Sequence, residues 1–138
     1  AVFHIGEEKK FYLTKEGLER IKRELKHLKE LRGDLSFPES RLAEFEYILK
    51  NSRLIEPPLR EKQNTVYLGA TVLVSVDGQN DEFTLVGHLE ANPSLGRISN
   101  ESPVGMALLG HRAGDRVVIS SPVKTVYKIK KIKYERTA

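Results

Sequence analysis

Cysteine is absent from this 138-residue chain, so neither a disulfide nor a cysteine-ligated zinc site can hold it together. That absence suits a reducing, cytoplasmic setting. No apolar run approaches the roughly 20 residues that a membrane-crossing helix needs. The opening Ala1-Val2-Phe3-His4-Ile5 has no long apolar core of the kind a signal peptide carries. Tryptophan is also missing, and the five Phe and five Tyr are spread along the chain, which argues against an aromatic-lined ligand pocket. The four histidines, His4, His27, His88 and His111, do not share a metal-binding spacing, and each is expected at a surface or edge. Gly105, Gly110 and Gly114 do not follow a strand as a phosphate-cradling loop would. Nothing in the residue pattern supports an independent catalytic centre.

A large excess of either charge is lacking too. The 23 basic and 19 acidic residues leave a net +4, and the stretches before and after residue 60 each carry +2. Locally the chain ends basic, with Lys124, Lys128, Lys130, Lys131, Lys133 and Arg136. Two readings of that run stay open. It could face a nucleic-acid backbone, or it could be the solvated face of a strand in which Tyr127, Ile129 and Ile132 interleave.

What is present divides in two. Thr14 suits a helix N-cap, and Glu16 and Glu19 favour the positive end of the helix that follows. Leu18, Ile21, Leu25 and Leu28 then recur at spacings of three, four and three, the period of a heptad seam. This helix is expected to stop near Arg32-Gly33. A second begins after Pro38, carries Leu42, Phe45, Ile48 and Leu49, and ends near Asn51-Ser52. Two amphipathic helices with a short connection predict an antiparallel hairpin.

Pro57-Pro58 opens a linker over residues 57–64, and strands follow. Val66 to Val74 is β-rich and is expected to bend or break at Gly69. Asp77-Gly78 is a turn signal. Glu82–Gly87, Val117–Ser120 and Lys124–Tyr134 read as further strands, with a loop over Glu90–Gly96. One short helix interrupts them. Ser102 is its cap, Pro103 fills the first helical position where no donor is needed, and Gly110 ends it. Ala113-Gly114-Asp115 turns the chain into the next strand. The order of strands, short helix and strands predicts an α+β domain with a mainly antiparallel sheet.

Specific runs in this second part resemble the bacterial GreA/GreB transcript cleavage factors. They are Tyr67-Leu68-Gly69-Ala70-Thr71-Val72, Leu85-Val86-Gly87, Glu90-Ala91-Asn92-Pro93, Gly96-Arg97-Ile98-Ser99, Ser102-Pro103, Ala107-Leu108-Leu109-Gly110 and Gly114-Asp115-Arg116-Val117, closing with Tyr127, Ile129, Ile132 and Tyr134. Leu13-Thr14-Lys15-Glu16-Gly17-Leu18, with Glu24-Leu25 and Leu28, is similar to the start of that family's coiled coil. The resemblance implies an N-terminal antiparallel coiled-coil hairpin over 1–56, the linker, and an FKBP-like antiparallel sheet domain with one short helix over 65–138.

The resemblance further implies a cytoplasmic, monomeric partner of bacterial RNA polymerase that binds at the secondary channel. The globular domain would grip the rim through Glu101, Ser102 and Pro103, which stand where the family has an acidic or amide residue, Ser and Pro. The coiled coil would enter the channel, where tip acids help hold a second Mg²⁺ at the polymerase active centre. Asp34 and Glu39 are the acids that fall at the tip here. The chain would have no cofactor of its own and would be no enzyme. The polymerase would cleave the backtracked RNA, and contact with nascent RNA and DNA would be indirect, the sense in which a DNA-binding role applies.

One departure stands out. The family's hairpin is much longer, whereas Gly33-Asp34-Leu35-Ser36-Phe37-Pro38-Glu39-Ser40 joins two short helices here. A shortened arm resembles Rnk, the regulator of nucleoside diphosphate kinase, and implies a rim binder that does not promote cleavage. Asp34 and Glu39 also admit a plain reading, as a loop acid and a first-turn helix acid. An FKBP-like prolyl isomerase is disfavoured by the shortage of aromatics.

Overall fold

The computed structural model describes residues 10–31, 39–120 and 123–135. The chain divides between Leu54 and Ile55 into two compact units. Among the described residues no helix is long and apolar enough to cross a membrane.

The first unit contains β1 (Phe11–Leu13), α1 (Lys15–Glu30), α2 (Glu39–Lys50) and β2 (Ser52–Leu54). Thr14 caps α1 as its side chain suggests: Oγ1 accepts the Gly17 N–H at 3.1 Å. The helix ends at Glu30, with Leu31 returning its N–H to the last turn. Leu28, Leu42 and Ile48 are buried, and Leu18, Ile21, Leu25, Phe45 and Leu49 are half-buried. The seam is therefore thin: Leu28 and Leu42 are buried at the end away from the strands, and Ile48 near them. Glu24 of α1 meets Arg41 of α2 at 3.9 Å, while Phe11, ahead of α1, packs edge-on against Tyr47 at 6.0 Å. Those pairings make the two helices run in opposite directions.

The parallel pairing of β1 with β2, Phe11 opposite Ser52 to Leu13 opposite Leu54, has no counterpart in the sequence expectation. Asn51 makes the junction. It is buried, its side-chain amide donates to the Tyr47 carbonyl at 2.9 Å, and its own carbonyl accepts the Phe11 N–H at 2.9 Å. Its polar atoms are thus used for a helix end and a strand start, as a buried amide requires.

The second unit holds β3 (Thr71–Val76), β4 (Gln79–Val86), β5 (Arg97–Ser99), α3 (Pro103–Leu108), β6 (Arg116–Ile119) and β7 (Thr125–Lys133). They form one five-stranded sheet in the order β5-β4-β3-β7-β6, antiparallel except for the β4–β5 pair. Residues 57–64, expected as linker, include a single helical turn over Arg60–Lys62, which the Gln63 side chain ties to the Pro58 carbonyl at 3.0 Å. The strand expected from Val66 begins only at Thr71, because Gly69 takes a left-handed backbone at φ 91° and turns the chain. Asp77 and Gly78 both have positive φ, the mark of a tight two-residue hairpin turn between β3 and β4.

One face of the sheet is the core. Val72, Val74, Leu85, Ile98, Val117, Ile119 and Ile129 point into it and meet Val66, Ala70 and Leu108. Beyond Ile129 the alternation slips. Val74 pairs with Ile129 but Leu73 pairs with Lys131, so Lys130 is an extra residue, a β-bulge. The bulge lets Ile129 and Ile132, three apart, both face inward.

Candidate functional site

The loop from β5 into α3 is held by hydrogen bonds that its sequence supplies locally. The Ser102 hydroxyl donates to the Ser99 carbonyl at 2.6 Å and accepts the Gly105 N–H at 3.1 Å. The Ser99 hydroxyl accepts the Glu101 N–H at 2.9 Å. Asn100 donates its N–H to the Val86 carbonyl of β4 at 3.0 Å, tying the loop to the sheet. Pro103 occupies the first helical position with its fixed φ. Gly105 lets the helix lie against β5: a Cβ there would stand 2.0 Å from the Ser99 carbonyl oxygen.

This framework fixes an exposed edge. Glu101, Pro103 and Met106 are exposed, and Leu108 on the other side of α3 is fully buried in the core. The Glu101 carboxylate lies 3.6 Å from His88 Nδ1, in the helical turn that follows β4, so protonated His88 forms an ion pair there. The arrangement presents a carboxylate beside a proline and a thioether on rigid backbone. It can meet a cation flanked by apolar surface.

Of the residues singled out from sequence, Glu101, Ser102 and Pro103 are adjacent on this edge. Asp34 lies outside the described residues. Glu39 is the exposed first residue of α2, where an acid also favours the helix dipole. Lys124, Lys128, Lys130, Lys131 and Lys133 are exposed, and Arg136 is outside the described residues. Among the described residues no three His, Asp or Glu gather into a metal-holding group. His111 and Asp115 sit 3.2 Å apart, but Asp115 also accepts the Arg112 N–H at 2.9 Å, which makes the pair part of a turn. Those two bonds, the backbone one first, hold the Asp115 carboxyl below its ordinary pKa. The sequence reading places His88 only at a surface or edge and Met106 only in the apolar helix, with no site role for either. His88 had no signal, since its partner comes from another loop. Met106 had one, lying three positions beyond Pro103 and so on the same helical face.

Comparison with known proteins adds the following. Residues 61–134 match the family model described as transcription elongation factor, GreA/GreB, C-term. The chain is 50% identical over 93 residues to the transcription elongation factor GreA of Thermomicrobium roseum, covering 67% of this chain but only 60% of that protein's length. It is 35% identical over 147 positions to GreA of Halalkalibacterium halodurans, covering 86% of this chain and 92% of that protein. A solved structure of the elongation factor GreA/GreB from Nitrosomonas europaea matches with a TM-score of 0.50 at 25% identity, covering 92% of this chain and all of that one.

Proposed function

The chain belongs to the GreA/GreB family of transcription elongation factors, and we propose that it binds RNA polymerase at the secondary channel and stimulates cleavage of backtracked nascent RNA. The observation that carries this reading is the braced edge at Glu101-Ser102-Pro103, where Ser102 both caps α3 and fixes the backbone that presents its neighbours. Rigid support of this kind holds a contact surface in one geometry. In this reading the second unit is an FKBP-like rim-binding domain, the two helices are a coiled-coil arm, and the chain works in the cytoplasm as a monomer. The bond-breaking groups belong to the polymerase, so the chain is a stimulating factor and not an enzyme.

Asp34 and Glu39 are proposed as the arm's carboxylates toward a Mg²⁺ shared with the polymerase. Mg²⁺ keeps most of its water and gives up few positions to protein carboxylates. Glu39 alone among the described residues therefore makes no metal site.

A pull-down with RNA polymerase tests the rim contact. Glu101→Lys with Pro103→Ala should lose binding while the fold is kept; unchanged affinity of the folded double variant sinks the assignment. A stalled-complex assay with labelled RNA tests cleavage: shortened RNA from the natural chain but not from Asp34→Asn is the expected result.

One observation favours a second reading, a rim binder that does not promote cleavage. At 1.5 Å per residue, α1 and α2 reach only about 24 and 18 Å. The alignment to the Halalkalibacterium halodurans protein also runs over 147 positions while drawing on 86% of this chain, so that relative has internal residues without a counterpart here. Displacement of a cleaving factor from the polymerase, with no RNA shortened, would select this reading.

A further inference from the structure

The outward face of the sheet carries cations that the rim contact does not use. In β7 the bulge at Lys130 keeps Ile129 and Ile132 inward and sets Lys128, Lys131 and Lys133 outward, with Lys130 exposed in the bulge itself. Lys128 is flanked by Ser75 on β3 and by Arg116 on β6, so two cations stand directly opposite each other across the β6–β7 ladder. Like charges so placed weaken a sheet; stability alone would set an acid opposite Arg116. Across β3, Lys131 faces Leu73 and Lys133 faces Thr71. The one acid at an outward strand position is Glu82, 3.8 Å from Lys133, both of them half in solvent. The rest of that face offers Thr71, Ser75, Asn80 and Thr84, with Leu73 at its middle and Arg97 of β5, opposite Thr84, held by Glu90 at 3.3 Å.

We infer that this face docks the phosphate backbone of a polynucleotide, without reading its sequence. Lys128, Lys130, Lys131, Lys133 and Arg116 outnumber Glu82 and Glu135, the acids beside Lys133, while Arg97 is already paired with Glu90; the surplus of positive charge gives the complementarity. Lysines dominate, and these act as mobile point charges suited to phosphate oxygens, where base readout would call for planar, positioned donors. Aromatic side chains on which bases could stack are missing from the face, since Tyr127 and Phe83 pack toward the core. An acidic protein is the weaker candidate, because a protein interface is built around an apolar centre. Here a lone half-buried Leu73, set between Glu82 and Lys131, is the apolar group at the middle of the face, and the exposed apolar pair Val118–Val126 lies at one end. The inference stands on this charge pattern, independently of the polymerase reading.

The test is fluorescence anisotropy of the full chain with a labelled 20-nucleotide RNA and a DNA duplex of equal length, between 50 and 200 mM salt. Weak binding to both is expected, indifferent to sequence, with a log–log salt slope of about −3. Lys128→Glu with Lys131→Glu should cut that slope by about half and weaken binding at least tenfold at 50 mM salt. The new Glu at 128 faces Arg116, so a purely structural role for these lysines predicts an equal or higher melting temperature and no change in binding. Arg60→Glu with Lys62→Glu is the control and should bind normally. A wild-type slope from the lysine variant overturns the inference. So does polyglutamate binding with no oligonucleotide binding, which would mark an acidic protein partner. A chain that pulls down polymerase yet ignores oligonucleotides overturns this inference alone.

Discussion

The Tyr134 hydroxyl donates to the main-chain carbonyl of Thr65, joining the end of β7 to the segment that leads into β3. The same oxygen accepts the Tyr67 N–H at 2.9 Å. One side chain thus satisfies two backbone groups in a stretch that has no ladder of its own. Tyr134→Phe should cost about 1 kcal/mol, the ordinary net worth of hydrogen bonds to a half-buried carbonyl and an exposed N–H, read as a lowered denaturant midpoint with an unchanged slope.

The same hydroxyl gives an alkaline signature. Burial raises its pKa above the ordinary 10.0, outweighing the bond from Tyr67. A raised folded pKa means the contribution is complete below pH about 10 and is lost as pH rises through the folded value. Melting temperatures from pH 8 to 11.5 should fall at the top of the range, and less steeply in Tyr134→Phe. Equal slopes in the two proteins would contradict the burial argument.

Asp115 works at the opposite end. Its carboxyl is held below 3.8 by the Arg112 N–H and then by His111. A depressed folded pKa contributes stability above the unfolded value and loses it as pH falls through the folded one. Between pH 4.5 and 2, as order-of-magnitude bounds on about one unit either side of that window, Asp115→Asn should lose less stability than the natural chain, as followed by circular dichroism.

Gly105 and Gly110 separate two kinds of glycine. Gly105→Ala forces a methyl into the Ser99 carbonyl and should cost about 3 kcal/mol by pushing α3 off β5. Gly110, at φ 82° with open space around it, should cost only about 1 kcal/mol on the same change, from backbone conformation alone. Thermal melts that reverse this order would show that the α3–β5 contact is not tight. Gly105→Ala should also weaken the polymerase pull-down, since it moves the backbone that carries Glu101.

In the first unit, Leu28→Ala should cost about 2–3 kcal/mol and Leu25→Ala distinctly less, because only Leu28 is buried. Amide exchange should show lost protection over Lys15–Glu30 and Glu39–Lys50, with the five-stranded sheet still protected. Global loss of protection would mean the two units do not unfold separately.

The short helix is legible in the sequence because each of its instructions is local: cap, proline, apolar run, glycine. The two long helices are legible for the same reason, through Thr14 and a repeating apolar period. The strands β1, β2 and β5 are not. Each is three residues long, and what makes Phe11-Tyr12-Leu13 or Arg97-Ile98-Ser99 a strand is a partner distant in the chain. The candidate site shows the same division. Ser102 and Pro103 announce themselves by chemistry and Glu101 by resemblance, while the His88 contact and the closeness of Gly105 to Ser99 arise only when β4, β5 and α3 come together.

The extra residue at Lys130 behaves like a dislocation locked in a crystal lattice. Removing it, or moving it back onto Ile129, would send an isoleucine into water or a lysine into the core. Sliding β7 past β3 meets the same penalty, because both isoleucines change sides together. The strand can therefore assemble in one alignment only, and an apparent fault in the ladder serves as its index mark.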